Sequence, residues 1–274
     1  MSENDTPSEM GALGTIRRLV VANNKFIFVQ SILSFLVIWH VLANTFGMAD
    51  TISSPSLVAS SLYELLLTDD WYYHVYVTLR RSLYGFVFTI VVGTALGVAM
   101  GISPFFEKAF RDYVIVGLAL PTLFAAVFSA MWFGLSDVTP MVAGALIAFP
   151  FITQNVYEGV KDVDQELVRM AHSFSVSRRR VLSRIVLRSI MPEWFSGARY
   201  SFAICWKVTT LTELIIAQNG IGYMIARQMS VLSLTGVITW TVLFMVIILV
   251  LEYGVFQQTE KIVFAWREKP VVDL

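Results

Sequence analysis

Long apolar stretches recur along this chain, and their length constrains the fold more than any other feature of the sequence. The first, residues 26–46, contains no Asp, Glu, Lys or Arg and matches the roughly 20 residues that a helix needs to cross a hydrocarbon core. Further stretches lie at 75–102, 113–133, 140–160, 194–217 and 236–256. Only 15% of the residues are charged, against about 25% in soluble domains. We therefore predict an all-α polytopic membrane protein with about six transmembrane helices.

A signal peptide is the alternative interpretation of residues 26–46. The apolar region of a signal peptide usually covers only about 7 to 15 residues, and this stretch is longer. We therefore expect it to be retained as a membrane span.

The distribution of basic residues predicts the orientation. Six spans place both termini on one side of the membrane, and if that side is cytoplasmic, fifteen of the twenty Lys and Arg residues are cytoplasmic, as the positive-inside rule requires. Arg80 and Arg81 are among the exceptions. We expect cytoplasmic tails at residues 1–25 and 257–274 and a membrane domain at 26–256.

Two connecting segments and one helix contact are also predicted. Residues 56–67 have the pattern of a short amphipathic helix at the membrane surface, whereas residues 218–235 are interpreted as a polar loop. Gly93, Gly97 and Gly101 are four residues apart, a spacing that lets membrane helices approach closely. We expect another helix to pack there.

The longest polar interruption of the second half is the segment 163–192, between two spans. Its apolar residues at helical spacing are Leu167, Met170, Ala171 and Phe174. They predict a short helix with a narrow apolar stripe, and Ser177 is a candidate N-cap for a second helix. A basic ridge at intervals of four is formed by Arg180, Arg184 and Arg188. Two helices joined by a tight turn are typical of a docking element; an ordinary solvated loop is the alternative.

The span at 194–217 is the least apolar of the six because it contains three charged residues. They are Arg199, Lys207 and Glu213. Charges at membrane depth normally face the bundle interior or a water-filled cavity, so this helix is the predicted wall of a transport path, to which we also assign Trp206. Pro121 and Pro150 fall inside two other spans, where a kink is tolerated next to protein or water.

Several classes of function are not supported by the sequence. There is no GxxxxGK[ST] phosphate loop, so we do not expect this chain to hydrolyse ATP. His40, His74 and His172 have no metal-binding spacing, and no set of nucleophile, base and orienting residue is evident. A formal net charge of zero gives no reason to expect nucleic-acid binding.

The segment 163–192 resembles the cytoplasmic signature of ABC importer permeases, Glu-Ala-Ala, three residues, Gly, nine residues, Ile, x, Leu-Pro. The signature falls on Arg169, Met170, Ala171, Ser175, Ile185, Leu187 and Arg188. This chain departs from the family pattern at Arg169, Ser175 and Arg188. Other short features follow the order seen in the sulfonate, taurine, nitrate and bicarbonate group of these permeases. They are Pro55, Thr78-Leu79-x-Arg81, Gly85-Phe86, Pro121, Trp132-Phe133-Gly134, Phe149-Pro150, Asn155, Gly159, Pro192, Gly197-x-Arg199, Glu213-Leu214 and Gly220-Ile221-Gly222-Tyr223.

The resemblance implies a type I ABC importer permease fold with a coupling helix in 163–192. The residues that it implies for contact with an ATPase are Glu166, Arg169, Met170, Ala171, Phe174, Ser175, Ile185 and Leu187. The implied assembly has a second permease subunit, two ATPase subunits that hold ATP and Mg, and an extracytoplasmic substrate-binding protein. Small organic or inorganic anions are the expected substrates. An ATP-independent channel or secondary carrier that uses Arg199, Lys207 and Glu213 is the alternative, and a membrane-embedded enzyme is the third.

Overall fold

The structure, a computed structural model, describes residues 24–45 and 53–264, and every regular element in those residues is helical. The helices are α1 Asn24–Thr45, α2 Pro55–Leu67, α3 Asp70–Ile102, α4 Pro104–Leu118, α5 Thr122–Phe133, α6 Val138–Lys161, α7 Gln165–Ser173, α8 (residues 178–189), α9 Met191–Ile216, α10 Ile221–Ser230, α11 Leu234–Leu251 and α12 Gln257–Val263. α8 contains the π-helical segment Leu182–Val186, and a second π-helical segment, Glu252–Phe256, joins α11 to α12. The all-α prediction is confirmed.

Four helical runs of the described chain are long and apolar enough to cross a membrane, and there are six if each of two bent helix pairs counts as one span. The four are α1, α3, α6 and the run from α11 through α12. The bent pairs are α4 with α5, at 107°, and α9 with α10, at 42°. About six spans were predicted, and that number is reached when each bent pair is counted as one broken span.

The predicted single span at 113–133 is one of the broken ones. α4 begins at Pro104, and the chain turns between α4 and α5 where Pro121 stands with φ −62° and ψ 132°. Proline has no N–H to donate to a preceding turn and disfavours helical geometry in the residue before it. Hydropathy cannot detect such a change of direction because the residues on both sides of it, 113–120 and 122–133, contain no charged side chain.

Residues 218–235 were predicted to form a loop. That prediction is wrong for the middle of the range, which forms α10. Ile221, Met224 and Ile225 are buried on one side of this helix, with the spacing of an amphipathic helix. The polar residues that follow them, Arg227, Gln228 and Ser230, lower the average hydropathy, so a hydropathy average does not reveal the helix. The predicted short helix at 56–67 is confirmed as α2.

Contacts divide the chain into two units, residues 1–63 and 64–274. In the first unit, α1 is exposed along most of its length, and the indole Nε1 of Trp39 donates a hydrogen bond to the carbonyl of Ser53 at 3.0 Å. Residues 1–23 of the predicted N-terminal tail and residues 265–274 of the predicted C-terminal tail lie outside the described residues.

The second unit is built around α6, which packs most extensively against α3 and α9. One apolar cluster is formed by Ala125 of α5, Ala143, Ile147 and Ala148 of α6, and Ile204, Cys205 and Val208 of α9. A second cluster contains Ile152, Val156 and Val160 of α6, Ala198 of α9, and Val163, Val186 and Ile190 of the polar segment. The second cluster therefore continues from the membrane bundle into the segment 163–192.

The predicted glycine contact is confirmed between α3 and α6. A Cβ atom on Gly93 would lie 2.3 Å from the side chain of Ile152, and one on Gly101 would lie 2.4 Å from that of Val160. At Gly97 it would lie 2.7 Å from the backbone oxygen of Thr153. The two helices are close enough that only glycine fits at these three positions.

The substitution Gly97→Ala is expected to destabilise the second unit by about 1–3 kcal/mol, the usual range for overpacking, because the obstructing atom belongs to the backbone of α6. The measurement is thermal unfolding of the purified protein in mild detergent. Gly254→Ala is the matched control, since nothing lies within 4 Å of a Cβ at that position. Equal unfolding temperatures for the two variants would contradict the close packing of α3 on α6.

Candidate functional site

Helix α7 presents an apolar surface to solvent. Met170 and Phe174 are 54% and 77% exposed, and Leu167 is also exposed, whereas Ala171 is only 7% exposed. The predicted stripe therefore divides into an exposed part and a buried part. We call the exposed residues Leu167, Met170 and Phe174 the apolar knob.

The start of α7 is fixed by a side-chain cap. The carboxylate of Asp164 accepts a hydrogen bond from the backbone N–H of Glu166 at 2.7 Å, which satisfies one of the free donors at a helix N-terminus. Glu166 and Arg169 are highly exposed and lie 4.0 Å apart, so their attraction contributes little to stability. Both charges remain available to another molecule.

The turn after α7 is a Schellman motif. Val176 N–H donates to the carbonyl of Ala171 at 3.0 Å, and Ser175 N–H donates to that of His172 at 2.9 Å. Ser175 occupies the left-handed position of the motif, with φ +56°, where glycine is normally found. The family signature has glycine at this position, so the structure gives a conformational reason for that glycine and shows that this chain uses a strained serine.

The substitution Ser175→Gly is expected to raise the stability of this turn by about 1 kcal/mol, because a left-handed conformation costs roughly 1–2 kcal/mol in residues with a Cβ. Thermal unfolding in detergent is the measurement. Ser177→Gly is the control, since Ser177 has φ −62° and gains nothing from glycine. A lower unfolding temperature for Ser175→Gly would contradict the assigned turn.

Helix α8 is anchored in the membrane bundle. Val186 and the adjoining Ile190 are buried with Val156 of α6 in the second apolar cluster, and the indole of Trp194 donates to the hydroxyl of Thr94 at 2.8 Å. The side chains of the basic ridge, Arg180, Arg184 and Arg188, are exposed. A displacement of α8 would therefore reach α6 and α9 through this cluster, because packed side chains resist deformation.

Other expectations for this segment have mixed outcomes. Ser177 stands at the predicted N-cap position of α8, but its side chain makes no capping hydrogen bond. Ile185 is half-buried and Leu187 is exposed. Pro192 is the second residue of α9. Proline is favoured in the first turn of a helix because the N–H that it lacks would have no partner within the helix.

A buried polar cluster joins α3 to the end of α9. Glu213 has no exposed surface, and its carboxylate accepts hydrogen bonds from Arg81 at 2.8 Å and from the hydroxyl of Thr78 at 2.7 Å. Arg81 also donates to the backbone oxygen of Asn219 at 2.9 Å. The charge of Glu213 is thus compensated by a residue of another helix, α3.

The same cluster fixes the bend between α9 and α10. Ile221 N–H donates to Thr78 at 2.8 Å and Gly222 N–H donates to Glu213 at 3.2 Å, so the first turn of α10 is capped by side chains of α3 and α9. Gly220 has φ +107°, and a Cβ there would lie 2.4 Å from the Glu213 carboxyl group. The joint between the two helices is therefore held rigidly.

Asp137, just before α6, extends the cluster toward solvent. It forms ion pairs with both Arg80 and Arg81. The hydrogen bond from Arg81, together with the charges of both arginines, lowers the pKa of Asp137 from its ordinary value. Asp137 is therefore an anion at neutral pH, and it links the α5–α6 connection to α3.

The sequence did not assign a role to this cluster as a whole. Arg80 and Arg81 are exceptions to the positive-inside rule, and that exception is the signal that could have revealed the cluster. A buried arginine on the outer side requires a carboxylate, and the predicted topology places six on that side: Asp50, Glu64, Asp69, Asp70, Asp137 and Glu213.

The remaining predicted path residues lie apart from one another. Arg199 is paired with Glu252 and, at 3.1 Å, with Glu260. Trp206 is fully buried and stacks on Phe244 with ring centroids 5.5 Å apart. Lys207 is exposed. Trp206 and Glu213 have no exposed surface, so neither can contact a solute in this conformation.

The two prolines assigned to the path have different positions. Pro121 is exposed at the break between α4 and α5. Pro150 is buried inside α6, which continues through it as one helix, and a Cβ on Gly117 would lie 2.6 Å from its ring. Pro150 is therefore a contact between α4 and α6. Among the described residues no group of three or more His, Cys, Asp or Glu is arranged to hold a metal ion.

Comparisons with known proteins agree with this architecture. Residues 89–258 match the family model described as the binding-protein-dependent transport system inner membrane component. The chain is 28% identical over 202 residues to a putative aliphatic sulfonates transport permease of Bacillus subtilis, covering 71% of this chain and 72% of the relative. It is 26% identical over 181 residues to the taurine transport system permease of Escherichia coli, covering 66% of each.

A solved structure has the same fold. The structure described as an inward-facing conformation of the MetNI methionine ABC transporter matches with a TM-score of 0.62 and 16% identity. The match covers 71% of this chain and 95% of that chain.

Proposed function

This chain belongs to the family of binding-protein-dependent transport system inner membrane components, the permeases of ABC importers, and from that premise we propose that α7 and α8 receive the motion of a separate ATPase. The proposal assigns contact with the ATPase to the apolar knob on α7 and to the exposed charges of Glu166 and Arg169. ATP and Mg are held by the ATPase and not by this chain.

The observation that carries this proposal is the exposed apolar knob on a helix whose Val168 packs against the second apolar cluster. Met170 and Phe174 are more than half exposed, although nothing in a polar connection requires large apolar side chains at its surface. Exposed apolar clusters mark interaction sites. Val186 and Ile190 are buried with α6, which supports rigid-body transmission of a shift into the membrane helices.

The proposed assembly contains two permease subunits, two ATPase subunits and an extracytoplasmic substrate-binding protein. The second permease is a copy of this chain or a related one. We place the chain in the bacterial inner membrane with both termini cytoplasmic, which puts α7 and α8 beside the ATPase. The basic residues that support this orientation include Arg180, Arg184 and Arg188, all exposed on α8.

The substrate that we propose is a small organic or inorganic anion, such as a sulfonate. Two relatives are named as permeases for aliphatic sulfonates and for taurine, which supports this class. The transport path is placed along the exposed side of α9, because that helix carries the charged residue Lys207 on a surface that the rest of the described chain leaves uncovered.

Copurification tests the ATPase partnership most directly. We expect an ATPase subunit to remain bound when the chain is purified from its native membrane in mild detergent, and uptake of labelled sulfonate to require ATP hydrolysis. A channel or secondary carrier would purify without an ATPase and would transport without ATP. That result would contradict the proposed function.

A further inference from the structure

Beyond Glu193 in its first turn, α9 carries three charged side chains, and the structure separates these three by their partners. Arg199 is paired with Glu252 of the second π-helical segment, and Glu213 is paired with Arg81 of α3. Lys207 is exposed and forms no ion pair with any described residue. One positive charge of α9 is therefore left uncompensated by the described part of the chain.

Lys207 belongs to a stripe of α9 that the described bundle leaves uncovered. The stripe consists of the exposed or half-exposed residues Ser196, Tyr200, Ala203, Lys207, Leu211 and Leu214, which recur at intervals of three and four. Cys205 lies about 200° around the helix from Lys207 and is fully buried in the first apolar cluster. The stripe is thus the side of α9 that faces away from the core. Its nearest acidic residue on that side, Glu193, lies about 21 Å from Lys207 along the helix.

The depth of Lys207 excludes an ordinary lipid-facing position. At a rise of 1.5 Å per residue, it lies about 24 Å from the Met191 end of α9 and about 14 Å from the Ile216 end. A lysine at such a depth is costly against lipid and normally faces a water-filled space or another protein chain.

A second copy of this chain does not supply the missing negative charge. If two copies met through this stripe across a two-fold axis, each would present the same residues to the other. Each stripe residue of one copy would then contact a stripe residue of the other, and the stripe from Ser196 to Leu214 offers no acidic residue to meet Lys207. A mobile anion in a water-filled path would compensate the charge.

We propose that Lys207 binds the anionic group of the substrate as it passes through the permease, and that it sets the preference of the path for anions. The group recognised is a sulfonate or a similar small anion, which accepts charge-assisted hydrogen bonds from an ammonium. This inference rests on the proposed function, because it requires that α9 lines the path.

The first test is uptake by the complete transporter, with its ATPase and binding protein. The probes are labelled ethanesulfonate, taurine and nitrate. Lys207→Gln is expected to lower the maximal uptake of the transported anion by about tenfold or more, the typical effect of losing a charged hydrogen-bond partner. Lys207→Arg should stay within about threefold of the wild type because it keeps the charge. The control is Lys108→Gln, the same substitution at another exposed lysine, which should leave uptake unchanged.

The second test restores the charge chemically. The substitution Lys207→Cys should abolish most uptake, and treatment with 2-aminoethyl methanethiosulfonate, which attaches a primary ammonium, should recover it. The sulfonato-ethyl reagent, which adds a negative charge, should not. Treated wild-type protein is the control, because its single cysteine, Cys205, is buried. A purely structural role for Lys207 predicts no difference between the two reagents.

The outcomes separate this inference from the proposed function. Uptake that needs no ATPase would overturn the proposed function and this inference with it. ATP-dependent uptake of an anion that Lys207→Gln leaves unchanged, or equal effects of the two reagents, would overturn the role of Lys207 alone. ATP-dependent transport that excludes all three anions would also overturn it.

Discussion

Replacing Arg81 with methionine should remove most of the folded protein. The substitution leaves the carboxylate of Glu213, which has no exposed surface, without its positive partner. Breaking a buried ion pair from one side typically costs about 3–5 kcal/mol, a large part of the roughly 5–15 kcal/mol that stabilises an ordinary protein. The measurements are the monodisperse fraction in size-exclusion chromatography and the unfolding temperature in detergent.

The neighbouring arginine provides the matched control. Arg80 pairs with Asp137 where both side chains are partly exposed to solvent, so Arg80→Met is expected to cost about 1 kcal/mol or less. The double substitution Arg81→Met with Glu213→Gln should recover much of the lost stability, because the buried carboxylate is replaced by a neutral amide of the same shape. If Arg81→Met and Arg80→Met behaved alike, the buried cluster would not have the role assigned to it.

Met170→Asp is expected to abolish transport while leaving the protein folded in the membrane. Met170 is 54% exposed, so an aspartate there meets solvent in the isolated chain and changes stability by no more than about 0.5 kcal/mol. In contact with an ATPase, the same carboxylate would be desolvated at the apolar knob. A loss of 2 kcal/mol or more, as at interface hot spots, weakens binding by a factor of about 30.

The measurements are uptake, ATPase copurification and unfolding temperature on the same preparations. Met170→Leu is the conservative control and should retain both transport and the ATPase. The sequence alone predicts the same outcome for Ala171→Arg, but Ala171 is only 7% exposed, so that variant is expected to disturb the folding of α7 first. Normal uptake by folded Met170→Asp would contradict docking through the apolar knob.

The segment 163–192 shows what a local sequence pattern can predict and what it cannot. The period of Leu167, Met170, Ala171 and Phe174 predicted α7 correctly, because a helical repeat is visible in the order of residues alone. The pattern could not tell which of these residues face inward. Ala171 is buried and Met170 is exposed only because α7 packs with one particular side toward the chain, and that side is chosen by residues distant in sequence.

The two errors in the predicted structure, at Pro121 and at α10, have a common cause. The break at Pro121 and the helix α10 both lie where average hydropathy is a poor guide to backbone direction. At Pro121 both arms are apolar, so the sequence looks like one span although the helices meet at 107°. In α10 the polar residues lower the average although Ile221, Met224 and Ile225 are buried at helical spacing.

The sequence by itself determined the class of this protein: a helical membrane bundle with about six spans, a close glycine contact on α3 and a two-helix polar segment at 163–192. These features depend on residue type and spacing within one stretch of chain. Only the tertiary structure decided the partners of the charges on α9. Arg81 and Glu213 are 132 residues apart, so their pairing depends on how α3 and α9 are placed in the bundle, and no local pattern contains that information. The same placement leaves Lys207 exposed and unpaired within the described residues.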